Sequence, residues 1–294
     1  MNDHVSENPE KKLSLAEIHA ELLEQLRDII SVCARHGIEY NLMCGTLLGS
    51  VRHRGFIPWD DDVDIVMPFK DYKRFLKLAS RDYPGGYEIE TLQNNVNDSV
   101  PWIKIYKAGT TMLIRSQAAH EANWSISLDI YPMIGGPSSP LLSALQQKMI
   151  MAAKGLLWIN WNGATGNYGK RYVSLKKKVL KIPRPVRWAA ARFLLWLTMR
   201  PVEKSRRVGS IDSADFSLKY DKTWWDRAVK AEFEDTEFVI PAEYDKVLTV
   251  MYGDYMTPPA EAKRYAHGEG AGDVIYDIHR DYREYRDELL KNKS

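Results

Sequence analysis

Thiols are scarce in this chain, which has only Cys33 and Cys44 among its 294 residues. They match no zinc-ligand spacing and are too few for a disulfide framework, so a zinc module and a stapled secreted domain are excluded and a reduced, cytoplasmic protein is expected. Long apolar runs are missing as well. No stretch of about 18 apolar residues is free of charge, so no membrane-spanning helix is expected. The opening residues Met1 to Glu7 are polar and acidic with no apolar run, which points away from a signal peptide. There is no internal repeat and no low-complexity tract. Excess charge is also small, at +2, and a chain-wide nucleic-acid footprint is not indicated.

Apolar residues make up 45% and charged residues 27%, which suits a soluble globular chain with a real core rather than a disordered one. Nine Trp and sixteen Tyr are generous, and core packing is the first use expected of them. The small net charge hides an asymmetry. Between Lys170 and Arg207 thirteen Lys and Arg face one acid, Glu203, so that segment carries +12 and the remainder −10. A local basic surface follows.

Helical and extended signals alternate along the chain. Ser14 with Glu17 forms a capping box ahead of Leu15, Ile18, Leu22, Leu26, Ile29 and Cys33 at helical spacing, and Gly37 ends that helix. Short strands are expected over 38–43, 62–67, 87–91, 102–106 and 124–130, with helices over 46–53 and 71–80. Residues 138–207 read as mostly helical, 237–252 as a strand and then a helix, and 281–293 as a charged, peripheral helix. The mixture implies an α+β fold, a small mixed sheet flanked by helices.

Four carboxylates fill five consecutive positions, Asp60, Asp61, Asp62 and Asp64, and run into the apolar Ile65 and Val66. Side chains alternate along a strand, so Asp62 and Asp64 share a face while Val63 and Ile65 enter the core. Two carboxylates forced side by side repel each other, and a hard divalent cation, Mg²⁺ or Mn²⁺, relieves this. An EF-hand loop needs polar ligands where Val63, Ile65 and Val66 stand. Haloacid-dehalogenase and glycosyltransferase Asp-x-Asp motifs place their apolar strand before the aspartates, whereas here it follows. Upstream, Gly45 and Thr46 open a helix 17 residues before Asp62, a position suited to taking an anion on backbone N–H groups.

The run Gly45-Thr46-Leu47-Leu48-Gly49-Ser50-Val51-Arg52-His53-Arg54-Gly55-Phe56-Ile57-Pro58-Trp59-Asp60-Asp61-Asp62-Val63-Asp64-Ile65 resembles the signature of LicD family proteins, bacterial phosphotransferases related to fukutin and fukutin-related protein. The resemblance continues at Trp102 to Tyr106, at Ser127 to Pro132 and at Tyr252 to Pro259. It implies a nucleotidyltransferase-like core over 13–137, preceded by a disordered lead (1–12). A helical basic subdomain (138–236) and a C-terminal segment packing on the core (237–294) would follow. It further implies that Asp62 and Asp64 are the paired metal ligands and catalytic residues, and that Asp129 is the third. Gly45 and Thr46 would hold phosphate, with Arg52 and Lys104 as phosphate clamps.

The same resemblance implies transfer of a phosphocholine-like group from a CDP-linked donor, such as CDP-choline, to a sugar hydroxyl of a surface glycan. Lipopolysaccharide, teichoic acid or a lipid-linked precursor are the acceptor classes. A nucleotidyltransferase that makes the activated donor, and a non-catalytic relative that binds nucleotide or glycan, are the alternatives. Basic residues beside Trp and Leu in 138–207 suit either an anionic membrane interface or a helical subdomain with a solvated basic face. A peripheral position at the inner face of the membrane would follow from the first.

Overall fold

The computed structural model describes residues 14–78, 85–94, 100–158, 178–200, 202–211, 219–261, 264 and 273–291. The expected disordered lead and Lys170 to Lys177 of the basic segment lie outside the described residues.

Helix α1 (Leu15–His36) starts on the expected capping box. The Glu17 N–H donates to Ser14 Oγ (3.4 Å) and the Ser14 N–H to Glu17 Oε2 (2.9 Å). Ile18, Leu22, Leu26, Ile29, Val32 and Cys33 are buried along one face. Each aliphatic side chain among them contributes about 1.5–3 kcal/mol. Gly37, at φ 57°, closes the helix.

The main sheet runs β1 (Asn41–Leu42), β2 (Asp64–Pro68), β6 (Ser127–Gly135), β4 (Ile103–Lys107), β3 (Tyr87–Glu90). β2 and β6 are parallel, and the other neighbours in this row are antiparallel. The mixture is the expected α+β arrangement. Strand β2 begins at Asp64 rather than at residue 62, so Asp62 sits in the connection leading to it. Pairing continues one residue upstream all the same, since the Asp129 N–H donates to the Val63 carbonyl at 2.9 Å.

Strand β6 runs five residues past its expected end, through Pro132. The Asp129 N–H points to β2, so alternation aims the nitrogen of Pro132 at the opposite edge. There β4 has ended at Ile130 and β7 (Arg207–Ser210) has not begun until Met133, so the missing N–H costs no ladder bond.

Helices α2 (Cys44–His53) and α3 (Phe69–Leu78) flank β2. Within 138–236 the helical expectation holds for α4 (Pro140–Trp158) and α5 (Arg184–Thr198). From Arg207 onward the described residues of the interval are strands and a short 3-10 turn (Lys222–Trp225) instead. β7 pairs with β6 and with β8 (Tyr220–Asp221), and β9 (Ala228–Phe233) forms a hairpin with β10 (Thr236–Pro241). β7 and β8 are only four and two residues long, and β9 is mostly exposed, which weakens the alternation a sequence can show. Helix α6 (Tyr244–Tyr252) follows. A separate two-stranded antiparallel sheet pairs β5 (Thr111–Ile114) with the remote β11 (Val274–Asp277), and α7 (Tyr282–Lys291) buries Tyr282 and Tyr285 beside it. Among the described residues no helix is long and apolar enough to cross a membrane.

Candidate active site

The sheet register lines up the charged residues. Asp64 on β2 is the neighbour of Asp129 on β6, Asp129 of Lys104 on β4, and Lys104 of Glu90 on β3. Cross-strand neighbours project to the same face, so four charges from four strands form one row. Lys104 Nζ donates to Asp129 Oδ1 at 2.5 Å, with the two side chains 21% and 16% exposed. Tyr131, two residues along β6 and so on the same face, donates its hydroxyl to Asp129 Oδ2 at 3.2 Å. Its hydroxyl is pushed well above its ordinary pKa, first by burial and then by the negative charges of Asp64, Asp129, Cys44 and Asp62. It therefore stays protonated and remains a donor.

The Asp60–Asp62 loop is fixed by residues remote in sequence. His19 on α1 places Nε2 2.7 Å from the Asp60 carbonyl, and its ring stacks on Phe56 at 4.2 Å. Asp61 is fully buried and accepts from the Tyr276 hydroxyl (2.7 Å) on β11. At the tip of the β9–β10 hairpin Glu234, at φ 56°, accepts the Phe56 N–H (2.9 Å) on its carboxylate, and its own N–H donates to the Arg54 carbonyl (2.7 Å).

Helix α2 lies against this loop at the closest range that glycine permits. A Cβ on Gly45 would stand 2.3 Å from Asp60 Oδ2, and one on Gly49 would stand 2.4 Å from the Gly55 carbonyl oxygen. The anionic group at the N-terminus of α2 is thus the Asp60 carboxylate, a favourable partner for the positive end of the helix dipole. Thr46 is buried, and its Oγ1 accepts the Asp64 N–H at 2.9 Å. Both residues expected to cradle phosphate thus lie against the aspartate loop, Gly45 beside Asp60 and Thr46 bonded to the Asp64 backbone.

Arg52, the expected clamp, donates through its Nη1 to the Tyr255 carbonyl at 2.7 Å. Burial, opposed by Tyr252 and reinforced by Arg264, lowers its pKa. The Arg264 guanidinium lies over the Trp59 ring at 5.2 Å. The Tyr252 hydroxyl is pushed up by desolvation first, and then by Cys44, Asp64, Asp60 and Asp62. Tyr252, at the start of the Tyr252 to Pro259 segment, therefore lies near the aspartates although it is some 190 residues away along the chain.

The donor set fits a hard cation in kind, since Asp62 and Asp64 offer carboxylate oxygen. Among the described residues no three His, Cys, Asp or Glu side chains are gathered closely enough to hold a metal. The Lys104 ammonium supplies a countercharge at Asp129.

Sequence reasoning missed Tyr131, His19, Tyr276, Glu234 and Lys154. Tyr131 was within reach, because it stands two residues from Asp129 on a strand. The others carried no local signal. Lys154, fully buried on α4, sits 5.9 Å from the Trp102 ring, which packs at 5.1 Å on Tyr131.

Residues 37–149 match the family described as LicD/FKTN/FKRP, nucleotidyltransferase domain. Over 275 residues the chain is 26% identical to the lipopolysaccharide cholinephosphotransferase LicD of Haemophilus influenzae, covering 87% of this chain and 97% of that protein. Uncharacterized proteins of Rickettsia typhi and Rickettsia prowazekii share 37% identity over 81 residues and 40% over 68, about a quarter of each (26% and 26%). The matched interval contains the aspartate loop, β2, β4 and β6, which are the elements that build the charged row. Over residues 37–149 the chain is similar to the LicD family.

Proposed function

We propose that this chain is a metal-dependent phosphotransferase. In this reading it moves a phosphocholine-like group from a CDP-activated donor to a sugar hydroxyl of a lipopolysaccharide-type glycan or its lipid-linked precursor. The observation that carries the reading is the row Asp64, Asp129 and Lys104 on one sheet face, with Asp62 beside it. Likeness to a cholinephosphotransferase along nearly its whole length supports the choice of group and acceptor.

The acceptor oxygen attacks the choline-bearing phosphorus in line, the bond to the bridging oxygen breaks, and CMP leaves. The hydroxyl proton passes to a carboxylate. Asp62 and Asp64 would hold Mg²⁺ or Mn²⁺, which when bound neutralises charge on the diphosphate. Asp129 takes the role of proton acceptor, held in aim by Lys104 and Tyr131, each donating to a different oxygen. Thr46 and Gly45 act by positioning Asp64 and Asp60. Arg52 and Arg264 gather positive charge beside Tyr252, suited to diphosphate oxygens.

The test is a screen of nucleotide-linked donors against sugar acceptors with Mg²⁺ and Mn²⁺. CMP release from CDP-choline that depends on an acceptor supports the reading. Pyrophosphate release from a nucleoside triphosphate would assign donor synthesis instead. Metal-dependent nucleotide binding with no turnover on any donor would mark a binding relative.

A further inference from the structure

Helices α4 and α5 form an antiparallel hairpin. Gln146, early in α4, donates to the Thr198 carbonyl at the end of α5 (2.6 Å), and Arg187, early in α5, reaches the Leu156 carbonyl late in α4 (3.5 Å). The inward stripe of α5, Arg187, Ala191, Leu195 and Thr198, is buried. The opposite stripe ought to be polar, yet it holds Val186, Phe193, Trp196 and Leu197, all exposed. Phe193 and Trp196 are 58% and 74% exposed, and their rings stack on each other at 6.0 Å. Leu141, 79% exposed, and Leu145 extend the apolar face across α4 at the same end of the hairpin. Apolar side chains scattered singly on a surface are ordinary, but two adjoining helices presenting such stripes together are not.

Charge selects the occupant. From Ile130 to Val202 the sequence contains no Asp or Glu, while it carries twelve Lys and Arg. Lys148, Lys181 and Arg192 are exposed on or beside the two helices. A protein partner or a second copy of this chain would ordinarily bring both signs of charge to such a face. An array of phosphate headgroups over acyl chains matches an apolar stripe flanked by Lys148, Lys181 and Arg192. Neither helix is able to span a bilayer, so the contact is interfacial.

We propose that the outer face of the α4–α5 hairpin docks this chain on an anionic lipid surface. The inner face of α4 supplies Lys154 and, through Trp102 and Tyr131, backs onto Asp129. The docked surface is then the outer side of the helix whose inner side makes these contacts. This arrangement presents the site to glycans anchored in that same membrane. The docking itself rests on the fold and not on the assigned reaction.

The test is flotation of the full chain with vesicles of phosphatidylcholine alone or mixed with phosphatidylglycerol, at low and high salt, without donor or acceptor. Binding is expected with phosphatidylglycerol at low salt and should fall sharply in its absence or at high salt. Phe193→Ser with Trp196→Ser, and separately Leu141→Ser with Leu145→Ser, should each weaken it about tenfold or more. Far-UV circular dichroism should stay unchanged, because these side chains face outward. CMP release onto a water-soluble sugar acceptor should persist in both variants, which separates this proposal from the reaction. Absence of binding at low salt would overturn it, as would binding that both double variants retain. So would a wild-type dimer, seen by analytical ultracentrifugation, that either double variant converts to monomer.

Discussion

Thr46→Val replaces a hydroxyl by a methyl of nearly equal volume at a buried position. The loss is specific, because the Asp64 N–H gives its hydrogen bond to Thr46 Oγ1 at 2.9 Å. A buried N–H left without a partner costs about 1–3 kcal/mol, which is a sizeable part of a typical folding free energy of about 5–15 kcal/mol. The urea midpoint should therefore fall with an unchanged slope. Activity should fall further than stability. Asp64 starts β2 at this bond, and displacing a reacting group by about 1 Å can cost about a hundredfold in rate. Thr46→Ser keeps the oxygen and should restore most of both quantities. CMP release from CDP-choline, measured beside urea denaturation of the three proteins, checks the argument. A Val variant with normal stability and turnover would refute it. So would a Ser variant as damaged as Val, which would place the effect in methyl packing.

Three further outcomes follow from the geometry. Gly49→Ala forces a Cβ to within 2.4 Å of a backbone oxygen that no rotamer change can move, so thermal denaturation should show a loss of about 1–3 kcal/mol. Lys104→Met removes the ammonium that aims Asp129 and should slow CMP release about tenfold or more while leaving the Mg²⁺ concentration needed for half-maximal rate unchanged; unchanged turnover would contradict a positioning role for Lys104. Burial pushes Cys33 and Tyr40 up to about 12, so the native chain keeps protons that the unfolded chain gives up. The stability they contribute is full below about pH 9 and is lost as pH rises toward 12, by about 2–3 kcal/mol at pH 11 from Cys33 alone. Cys33→Ala should flatten that alkaline limb in denaturant titrations.

Local signals in the sequence were accurate where one residue's chemistry decides the outcome. Ser14 and Glu17 gave the capping box because both partners lie within one turn. The resemblance pointed to Asp62, Asp64 and Asp129, and of these the sheet register brings Asp64 beside Asp129. The β9–β10 hairpin was half legible. Its turn places Glu234 in the left-handed region where Gly or Asn would have announced it, and its first strand is mostly exposed. The bond from Tyr276 to Asp61 joins positions 215 residues apart, and no periodicity encodes such a pairing. Thr46 shows a subtler limit. A hydroxyl at a helix start is equally good for binding phosphate or for accepting a neighbouring strand's N–H, and only the packing of α2 on β2 decides between them.

The central claim is that Asp62 and Asp64 carry metal-dependent phosphoryl transfer. Its most direct test is CMP release from CDP-choline by Asp62→Asn and Asp64→Asn, with and without Mg²⁺ or Mn²⁺, in proteins whose thermal midpoints match the parent. Wild-type turnover should require the divalent ion, and each variant should lose about a thousandfold or more. Near-normal turnover in either variant, or wild-type turnover that survives EDTA, would contradict the account.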